Sequence, residues 1–318
     1  MLSRLKNDIS YLILFPLNKI IMSIEIIGED GYLDTLKVIG GTSGGVSANT
    51  RLATVRWPDG DEADTFIKIF PIKTRCLEII NESFGFLMAQ EINLRQSPRV
   101  ALIKISVDDI PSVIDDIFAQ KNGFYYAWAC RSIGGDNMKK MYFKPPYENG
   151  TPQEFSKYFD ALNEWDHFSN LIAFDDCIGN SDRNPGNIIF LGKNNLAVID
   201  HGRIFGGVNW PVDGLKDSEN FNNWMLSHFI QHHSNAPSHI AWQQVIYCAN
   251  ENALKYSTYW ADLLNKILPI FEALIPNVDT LRVAAALLIE YLKNRVVCSA
   301  SYFRSLSTHY SSLGAVAP

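Results

Sequence analysis

The sequence predicts an α+β protein with two lobes, a β-rich first part and a helical second part. Strand-like segments dominate up to about residue 133, and helical periodicity dominates after about residue 215. The pair Gly134-Gly135 marks the boundary between the two parts. Hydrophobic residues make up 47% and charged residues 19% of the 318 residues, which is enough apolar material for a large core. Two unlike lobes commonly hold a ligand between them.

The first part alternates strand patterns with turn signals. Strands are expected over residues 23–27, 36–39, 51–57, 65–70, 100–106 and 124–130. Pro58-Asp59-Gly60-Asp61 has the composition of a hairpin turn. Ile80, Phe84 and Leu87 recur on one helical face, so a helix is expected over 77–92.

The second part contains one predicted hairpin among predicted helices. Two short apolar strands, 188–191 and 196–199, enclose the turn Gly192-Lys193-Asn194-Asn195. Helices are expected over 152–177 and near 215–232, 239–273 and 279–304.

Charge and cysteine content exclude several classes of protein. The formal net charge is −6 and no long Lys/Arg run occurs, which argues against nucleic-acid binding by charge alone. The five cysteines are widely spaced and lack a C-x-x-C pair, so a reduced, cytoplasmic protein without a disulfide framework or zinc site is expected.

The first 22 residues are interpreted separately from the domain. Their apolar run is interrupted by Pro16, Asn18 and Lys19 and is too short to span a bilayer. Residues 1–22 are therefore interpreted as an amphipathic leader or as sequence upstream of a start at Met22. We expect them to be dispensable for the fold, and we expect no membrane span.

The strongest chemical signal is the order of Asp182, Asn187 and Asp200. Asp182 and Asn187 share one loop, and Asp200 follows the predicted hairpin in the tetrapeptide Ile199-Asp200-His201-Gly202. This is the order of a kinase catalytic centre. One carboxylate accepts the proton of the substrate hydroxyl, while an amide oxygen and a second carboxylate hold Mg²⁺ against the phosphates of ATP. Asp182 is thus the predicted base, and Asn187 and Asp200 are the predicted metal ligands.

The alternative to this interpretation is an Asx-rich turn followed by an ordinary hairpin. In that case Asp200, which follows the apolar run 196–199, would be buried without a ligand. Burying an unpaired carboxylate is costly, which favours the catalytic interpretation.

Lys68 is the second signal. It is the only polar side chain in Phe66-Ile67-Lys68-Ile69-Phe70, a strand that is apolar on both faces. A buried ammonium group needs a counter-charge, which ATP phosphates and a helix glutamate would supply. Glu82 on the following helix is the chosen partner, with Glu78 as the alternative. The competing interpretation of Lys68 is a side chain that extends to solvent from an edge strand.

A glycine-rich segment, Gly40–Ser47, precedes Lys68. Glycines allow backbone N–H groups to approach phosphate oxygens closely. The segment is neither a P-loop nor a dinucleotide-binding motif, and by itself it is also compatible with a plain hairpin loop. The expected nucleotide-binding residues here are Gly41, Thr42, Ser43, Gly44 and Gly45.

Taken together, these residues resemble the HipA-like kinases and, more distantly, the phosphatidylinositol 3-/4-kinase-like fold. The closest stretch is 174–187, and Ile199-Asp200-His201-Gly202 and Asn81-Glu82 are also similar. The resemblance covers about residues 24–232.

The resemblance implies a two-lobed protein-kinase-like fold that uses ATP and Mg²⁺. It implies an N-lobe over 23–133, a C-lobe over 134–318, and Lys68 on the α-phosphate. It also implies a hinge at Ala129, Cys130, Arg131 and Ser132. HipA toxins phosphorylate a protein and can phosphorylate their own serine near the Gly-rich loop. Ser43 and Ser47 are the corresponding candidates, and a phosphoacceptor protein and an antitoxin-like partner are the implied partners.

Two other functions are alternatives to a protein kinase. A lipid or small-molecule kinase could use the same core, but residues 202–217 contain only Arg203 and Lys216 as basic residues, which disfavours a membrane-facing loop. A nucleotide-binding module without phosphate transfer is the other alternative. The presence of Lys68, Asp182, Asn187 and Asp200 argues against it.

Overall fold

The computed structural model describes residues 23–39, 48–70, 77–110, 120–145, 150–207, 215, 222–233, 237–274 and 278–314. The predicted leader 1–22 and the Gly-rich segment 40–47 lie outside the described residues. No helix within the described part of the chain is long and apolar enough to cross a membrane.

The first part of the chain forms one large sheet. Its strands are β1 Glu25–Ile27, β2 Tyr32–Ile39, β3 Asn49–Arg56, β4 Glu62–Ile69, β5 Val100–Ser106, β6 Gln120–Lys121 and β7 Phe124–Arg131. The strand order is β1-β5-β7-β4-β3-β2, and β6 pairs with β7. The pair β1–β5 is parallel and the other pairs are antiparallel. The predicted hairpin turn is confirmed, since Gly60 N–H donates to the Trp57 carbonyl and Gly60 has a φ of 85°.

The two faces of this sheet have different roles. Ile67 and Ile69 of β4 pack with Ala127 and Ala129 of β7 in a small apolar cluster on one face. The alternate residues Phe66 and Lys68 line a cavity on the other face. This follows from the two-residue period of a strand and places the one charged side chain of the predicted strand toward a potential ligand.

The helix α1, Leu77–Glu91, connects the sheet to the rest of the molecule. Almost all of its side chains are buried, including the polar residues Glu78, Asn81, Glu82 and Ser83. A helix that is buried on every side lies between two layers rather than on a surface. Its polar residues therefore need specific partners inside the protein.

The second part is mainly helical. Its helices are α2 Met138–Tyr142, α3 Pro152–Asn163, α4 Phe168–Ile178, α5 Trp224–His232, α6 His239–Ser257, α7 Trp260–Leu274 and α8 Val278–Gly314. A small antiparallel sheet contains β8 Asp136–Asn137, β9 Ile188–Phe190 and β10 Leu196–Val198 in the order β10-β9-β8. The predicted α+β architecture, with a β-rich first part and a helical second part, is confirmed. The exact boundary at 133/134 stays a prediction.

Two predicted helices are each divided in the structure. The predicted helix 152–177 consists of α3 and α4, separated by a turn that buries Trp165. The predicted helix 239–273 consists of α6 and α7, separated by a turn that buries Tyr259. In both places a large aromatic side chain enters the core at the turn, so burial outweighs the continuous helical pattern.

Candidate active site

A cavity of about 400 Å³ lies between the large sheet and the helical part. The sheet contributes Lys68 and Trp128, α1 contributes Glu82, and the β9–β10 region contributes Asn187 and Asp200. At its inner wall Trp128 is 3% exposed and meets Phe86 of α1 edge to face, with 6.4 Å between ring centroids. The cavity therefore collects residues from both parts of the chain, and its volume suits a small-molecule ligand.

Lys68 lies at the centre of a three-residue charged cluster. Its Nζ is 2.6 Å from Glu82 Oε1 and 3.0 Å from Asp200 Oδ1. The Lys68 side chain is 15% exposed, so it does not extend to solvent. Glu82, rather than Glu78, contacts Lys68.

The electrostatics of this cluster favour the charged forms of Lys68 and Asp200, whereas burial raises the pKa of Glu82. Burial alone lowers the pKa of Lys68, but Asp200 and Glu82 outweigh it and hold the pKa above its usual value. Burial alone raises the pKa of Asp200, but Lys68 outweighs it and the pKa falls to about 2. Asp200 is therefore an ionised carboxylate at neutral pH, as a magnesium ligand must be.

Local backbone geometry places Asp200 at the cavity. The β9–β10 hairpin returns the chain beside Asn187, whose carbonyl accepts from the Ile199 N–H at 3.1 Å. Asp200 itself has a left-handed backbone with a φ of 64°. This conformation is uncommon for a residue with a side chain and persists where surrounding contacts fix it.

The predicted catalytic loop begins where α4 ends. Gly179 has a φ of 63° and ends α4, which directs the chain into the loop. The Asn180 side chain accepts from the Asp182 N–H at 2.9 Å, and Asn187 Nδ2 donates to the Asp182 carbonyl at 2.6 Å. Because the Asn187 amide nitrogen is used inside the loop, its oxygen is the atom that remains to face a ligand.

Asp182 is partly accessible and is not among the residues that line the cavity, although it lies on the same loop as Asn187, which does. Its side chain is 43% exposed and its Oδ1 accepts from Asn184 Nδ2 at 3.2 Å. Burial raises the pKa of this carboxyl, with Asn184 acting in the opposite direction and Asp200 adding to the increase. A carboxylate that is reachable and has a raised pKa is suited to accept a proton.

The sequence assigned no role to Arg183, but in the structure this residue bonds to α4 and to the loop that carries Asp200. Its side chain is 0% exposed and pairs with Asp175 of α4, with 3.2 Å between Nη2 and Oδ1. Arg183 also donates to the carbonyls of Ile199 and Asp200, and Nη2 lies 3.0 Å from His201 Nδ1. One arginine thus connects the loop of Asp182 to the loop after β10 that carries Asp200, residues 199–202 (the Asp200 loop). Its position directly after Asp182 was the available signal.

His201 occupies a packed position between α1 and α4. It is 3% exposed and its ring packs edge to face on Phe174. Its backbone N–H donates to Glu82 Oε2 at 2.8 Å. Gly85 of α1 approaches it so closely that a Cβ at position 85 would lie 2.3 Å from His201 Cβ. Burial and the neighbouring Arg183 lower the pKa of His201 well below its usual value, so the ring is neutral.

The remaining predicted site residues fall into three groups. Gly41, Thr42, Ser43, Gly44, Gly45 and Ser47 lie outside the described residues, although Ile39 and Thr50 on either side line the cavity. Cys130, Arg131 and Ser132 of the predicted hinge line the cavity. The Ala129 side chain instead packs in the apolar cluster on the opposite face of the sheet.

The donor set fits a magnesium ion that is shared with phosphates. Among the described residues no cluster of three or more His, Cys, Asp or Glu side chains forms a metal cage. Mg²⁺ is commonly held by one or two carboxylates together with substrate phosphates and water. Asp200 and Asn187, which line the same cavity, offer the two oxygen ligands that this arrangement needs.

Comparison with known proteins identifies the fold. No protein-family model matches the sequence, and no curated protein matches it. Among solved structures, the chain is similar to the Helicobacter pylori proinflammatory kinase CtkA, with 13% sequence identity and a TM-score of 0.51. The match covers 91% of this chain and 99% of the other. The chain therefore has a kinase-like, two-lobed α+β fold.

Proposed function

We propose that this protein transfers the γ-phosphate of Mg-ATP to a serine or threonine hydroxyl of another protein, as a HipA-like kinase. The observation that carries the proposal is the convergence of Lys68, Glu82 and Asp200 in one cavity, with Asp182 and Asn187 on the adjoining loop. The fold supports phosphate transfer in general. The catalytic-loop sequence supports the HipA-like assignment, and the scarcity of basic residues over 202–217 supports a protein acceptor over a lipid.

Each residue has a distinct role in this proposal. Lys68, oriented by Glu82, binds the phosphates of ATP, as the strand lysine does in kinases. Asn187 and Asp200 would hold Mg²⁺, which when bound neutralises charge on the phosphates. Asp182 accepts the proton of the acceptor hydroxyl as its oxygen forms a bond to the γ-phosphorus. The bond from that phosphorus to the β–γ bridging oxygen breaks, and ADP leaves with the electron pair.

Lys68 and Asp200 form an ion pair with each other in the cavity. Lys68 Nζ and Asp200 Oδ1 are 3.0 Å apart, so each group neutralises the charge of the other. Phosphate and Mg²⁺ carry the complementary charges, so Lys68 and Asp200 would exchange this contact for ligand contacts without leaving a charge unpaired.

The proposal is tested by comparing nucleotide binding with phosphate transfer. Mg-ATP at 100 times its Kd should stabilise the fold by about 2.7 kcal/mol, since it binds only the native state. Asp200→Asn should weaken this shift. Asp182→Ala should retain Mg-ATP affinity by calorimetry, while transfer from γ-labelled ATP falls by at least roughly 10²–10⁴-fold, as expected for loss of a general base.

The outcomes separate the candidate functions. Absence of any Mg-ATP shift would reject the site assignment. Wild-type protein that binds Mg-ATP but labels no protein, lipid or metabolite in a cell lysate would be a binding module. Labelling confined to lipids or metabolites would identify the other kinase class. Transfer by Asp182→Ala at the wild-type rate would reject the mechanism.

A further inference from the structure

Two exposed side chains, those of Trp224 and Arg203, contact the loop that carries Asp182. Trp224, at the start of α5, donates from Nε1 to the carbonyl of Ser181 at 3.1 Å. Arg203, which follows the Asp200 loop, accepts at its carbonyl from the Ser181 N–H at 3.2 Å. Ser181 directly precedes Asp182, so the Trp224 side chain and the Arg203 backbone are both bonded to the loop that positions the proposed base.

The Arg203 guanidinium lies beside Asp182 but does not form a hydrogen bond with it. Its Nε is 3.7 Å from Asp182 Oδ2, which is too long for a hydrogen bond, and its side chain is 44% exposed. Within the described part of the chain, Asp182 is the only carboxylate that pairs with Arg203. A guanidinium group has five N–H donors and is suited to bind a carboxylate through two of them.

Proton transfer weakens the attraction between Asp182 and Arg203. When Asp182 accepts the hydroxyl proton, its charge is neutralised and its attraction for Arg203 falls. A carboxylate on the bound substrate, next to the acceptor residue, is then the stronger partner of Arg203, so this pair gains strength as the proton is transferred. Because an extended chain advances about 3.3 Å per residue, this carboxylate belongs within about two residues of the acceptor.

Trp224 supplies an apolar surface at the same place. It is 43% exposed, although tryptophan is one of the more buried residue types on average. Its hydrogen bond to Ser181 fixes the ring against the catalytic loop, and His228 contacts it edge on, with 6.1 Å between ring centroids. A fixed, exposed indole is the kind of side chain that anchors a protein partner.

We propose that Arg203 and Trp224 form an acceptor subsite for an extended protein segment. In that segment an acidic residue and a bulky apolar residue would flank the phosphorylated serine or threonine. This inference rests on the proposed function and adds the class of substrate to it. A basic flanking residue would instead face Arg203 and be repelled.

The test measures sequence preference with γ-labelled ATP and a peptide library that varies the residues around a central serine or threonine. Wild-type protein should favour acidic and bulky apolar flanking residues. Arg203→Glu should lower kcat/KM for acidic peptides about tenfold and move the preference to Lys or Arg at the same position. Trp224→Ala should raise the KM for peptides about tenfold. Neither change should alter the KM for ATP.

Matched variants control for general effects of charge and aromatic loss. Arg56→Glu changes a similarly exposed arginine on β3, which pairs with Glu62. Tyr247→Ala removes an aromatic side chain that is 63% exposed on α6. Both should keep the wild-type preference. Trp224→Phe, which keeps an aromatic ring, should retain more of the peptide affinity than Trp224→Ala does.

Three results would overturn the inference. A wild-type enzyme that phosphorylates peptides without regard to flanking residues has no such subsite. An Arg203→Glu enzyme with wild-type preference would show that Arg203 does not read the substrate. A raised KM for ATP in Arg203→Glu would assign Arg203 to the nucleotide phosphates. Wild-type protein that binds Mg-ATP but labels no peptide or protein would instead reject the proposed function itself.

Discussion

The close approach of α1 to His201 predicts a specific effect of Gly85→Ala. A Cβ at position 85 would lie 2.3 Å from His201 Cβ and 2.5 Å from His201 Cγ, distances that require one of the two backbones to move. Rotation of the His201 side chain does not move its Cβ, and the residue is held in place because its backbone N–H donates to Glu82 and its ring contacts Arg183. The displacement should therefore reach Asp200, the preceding residue.

Stability and activity should respond differently to this change. Alanine in the middle of a helix is favoured over glycine by about 1 kcal/mol, whereas overpacking a core costs about 1–3 kcal/mol. The two effects partly cancel, so we expect the free energy of unfolding to fall by at most about 2 kcal/mol. A misplacement of about 1 Å at a catalytic group can lower the rate about 10²-fold, and we expect a loss of this size in phosphate transfer.

Urea unfolding and transfer from γ-labelled ATP measure the two effects. The control is a double-mutant cycle with His201→Gly, which removes the atoms that the new methyl group meets. In that background Gly85→Ala should cost little further stability. If Gly85→Ala cost the same stability in both backgrounds, or left phosphate transfer at the wild-type rate, the proposed contact between α1 and the Asp200 loop would be wrong.

Three further predictions concern charge. Because burial raises the pKa of Asp182, phosphate transfer should fall as the pH falls through a value above 3.8, and a kcat/KM profile with an acid limb at or below 3.8 would contradict this. Burial lowers the pKa of His228 to about 4, so about 3 kcal/mol of stability should be present above pH 6.5 and lost as the pH falls toward 4. Urea unfolding of His228→Phe should lack this loss, and equal pH dependence in both proteins would refute the assignment. Lys68→Met leaves Glu82 and Asp200 without their cation and should lower the free energy of unfolding by about 3–5 kcal/mol, whereas Lys68→Met combined with Glu82→Met should be less destabilised than Lys68→Met alone.

Local sequence patterns were sufficient for much of the fold. The two-residue period around Lys68 and the turn at Gly60 predict the β3–β4 hairpin, and the helical period predicts α1. The same patterns could not predict where α3 ends and α4 begins. Trp165 enters the core there, and that burial depends on residues distant in the sequence.

The candidate site likewise contains residues that the sequence predicts and contacts that it does not. Lys68, Glu82 and Asp200 could be chosen from their residue types and order, because a buried ammonium group requires carboxylates. The pairing of Arg183 with Asp175, and the contact of Gly85 with His201, depend on how α1, α4 and the β9–β10 hairpin pack together. No local pattern encodes such packing. The left-handed backbone of Asp200 belongs to the same class, since it is fixed by surrounding contacts rather than by its own preference.

The bonds of α1 to the Asp200 loop and to Lys68 of β4 restrict how the proposed kinase could be switched off. Asn81 Nδ2 donates to the Gly202 carbonyl at 2.8 Å, and Glu82 contacts both Lys68 and the His201 N–H. An inactive state made by swinging α1 outward would break all three contacts. A hydrogen bond contributes a net of about 0.5–1.5 kcal/mol, or about 1.5–3 kcal/mol where one partner is charged, so loss of all three would leave such a state with less than about 1% of the molecules. Control of the proposed kinase is therefore expected to act on entry of the acceptor or the nucleotide, with α1 remaining in place.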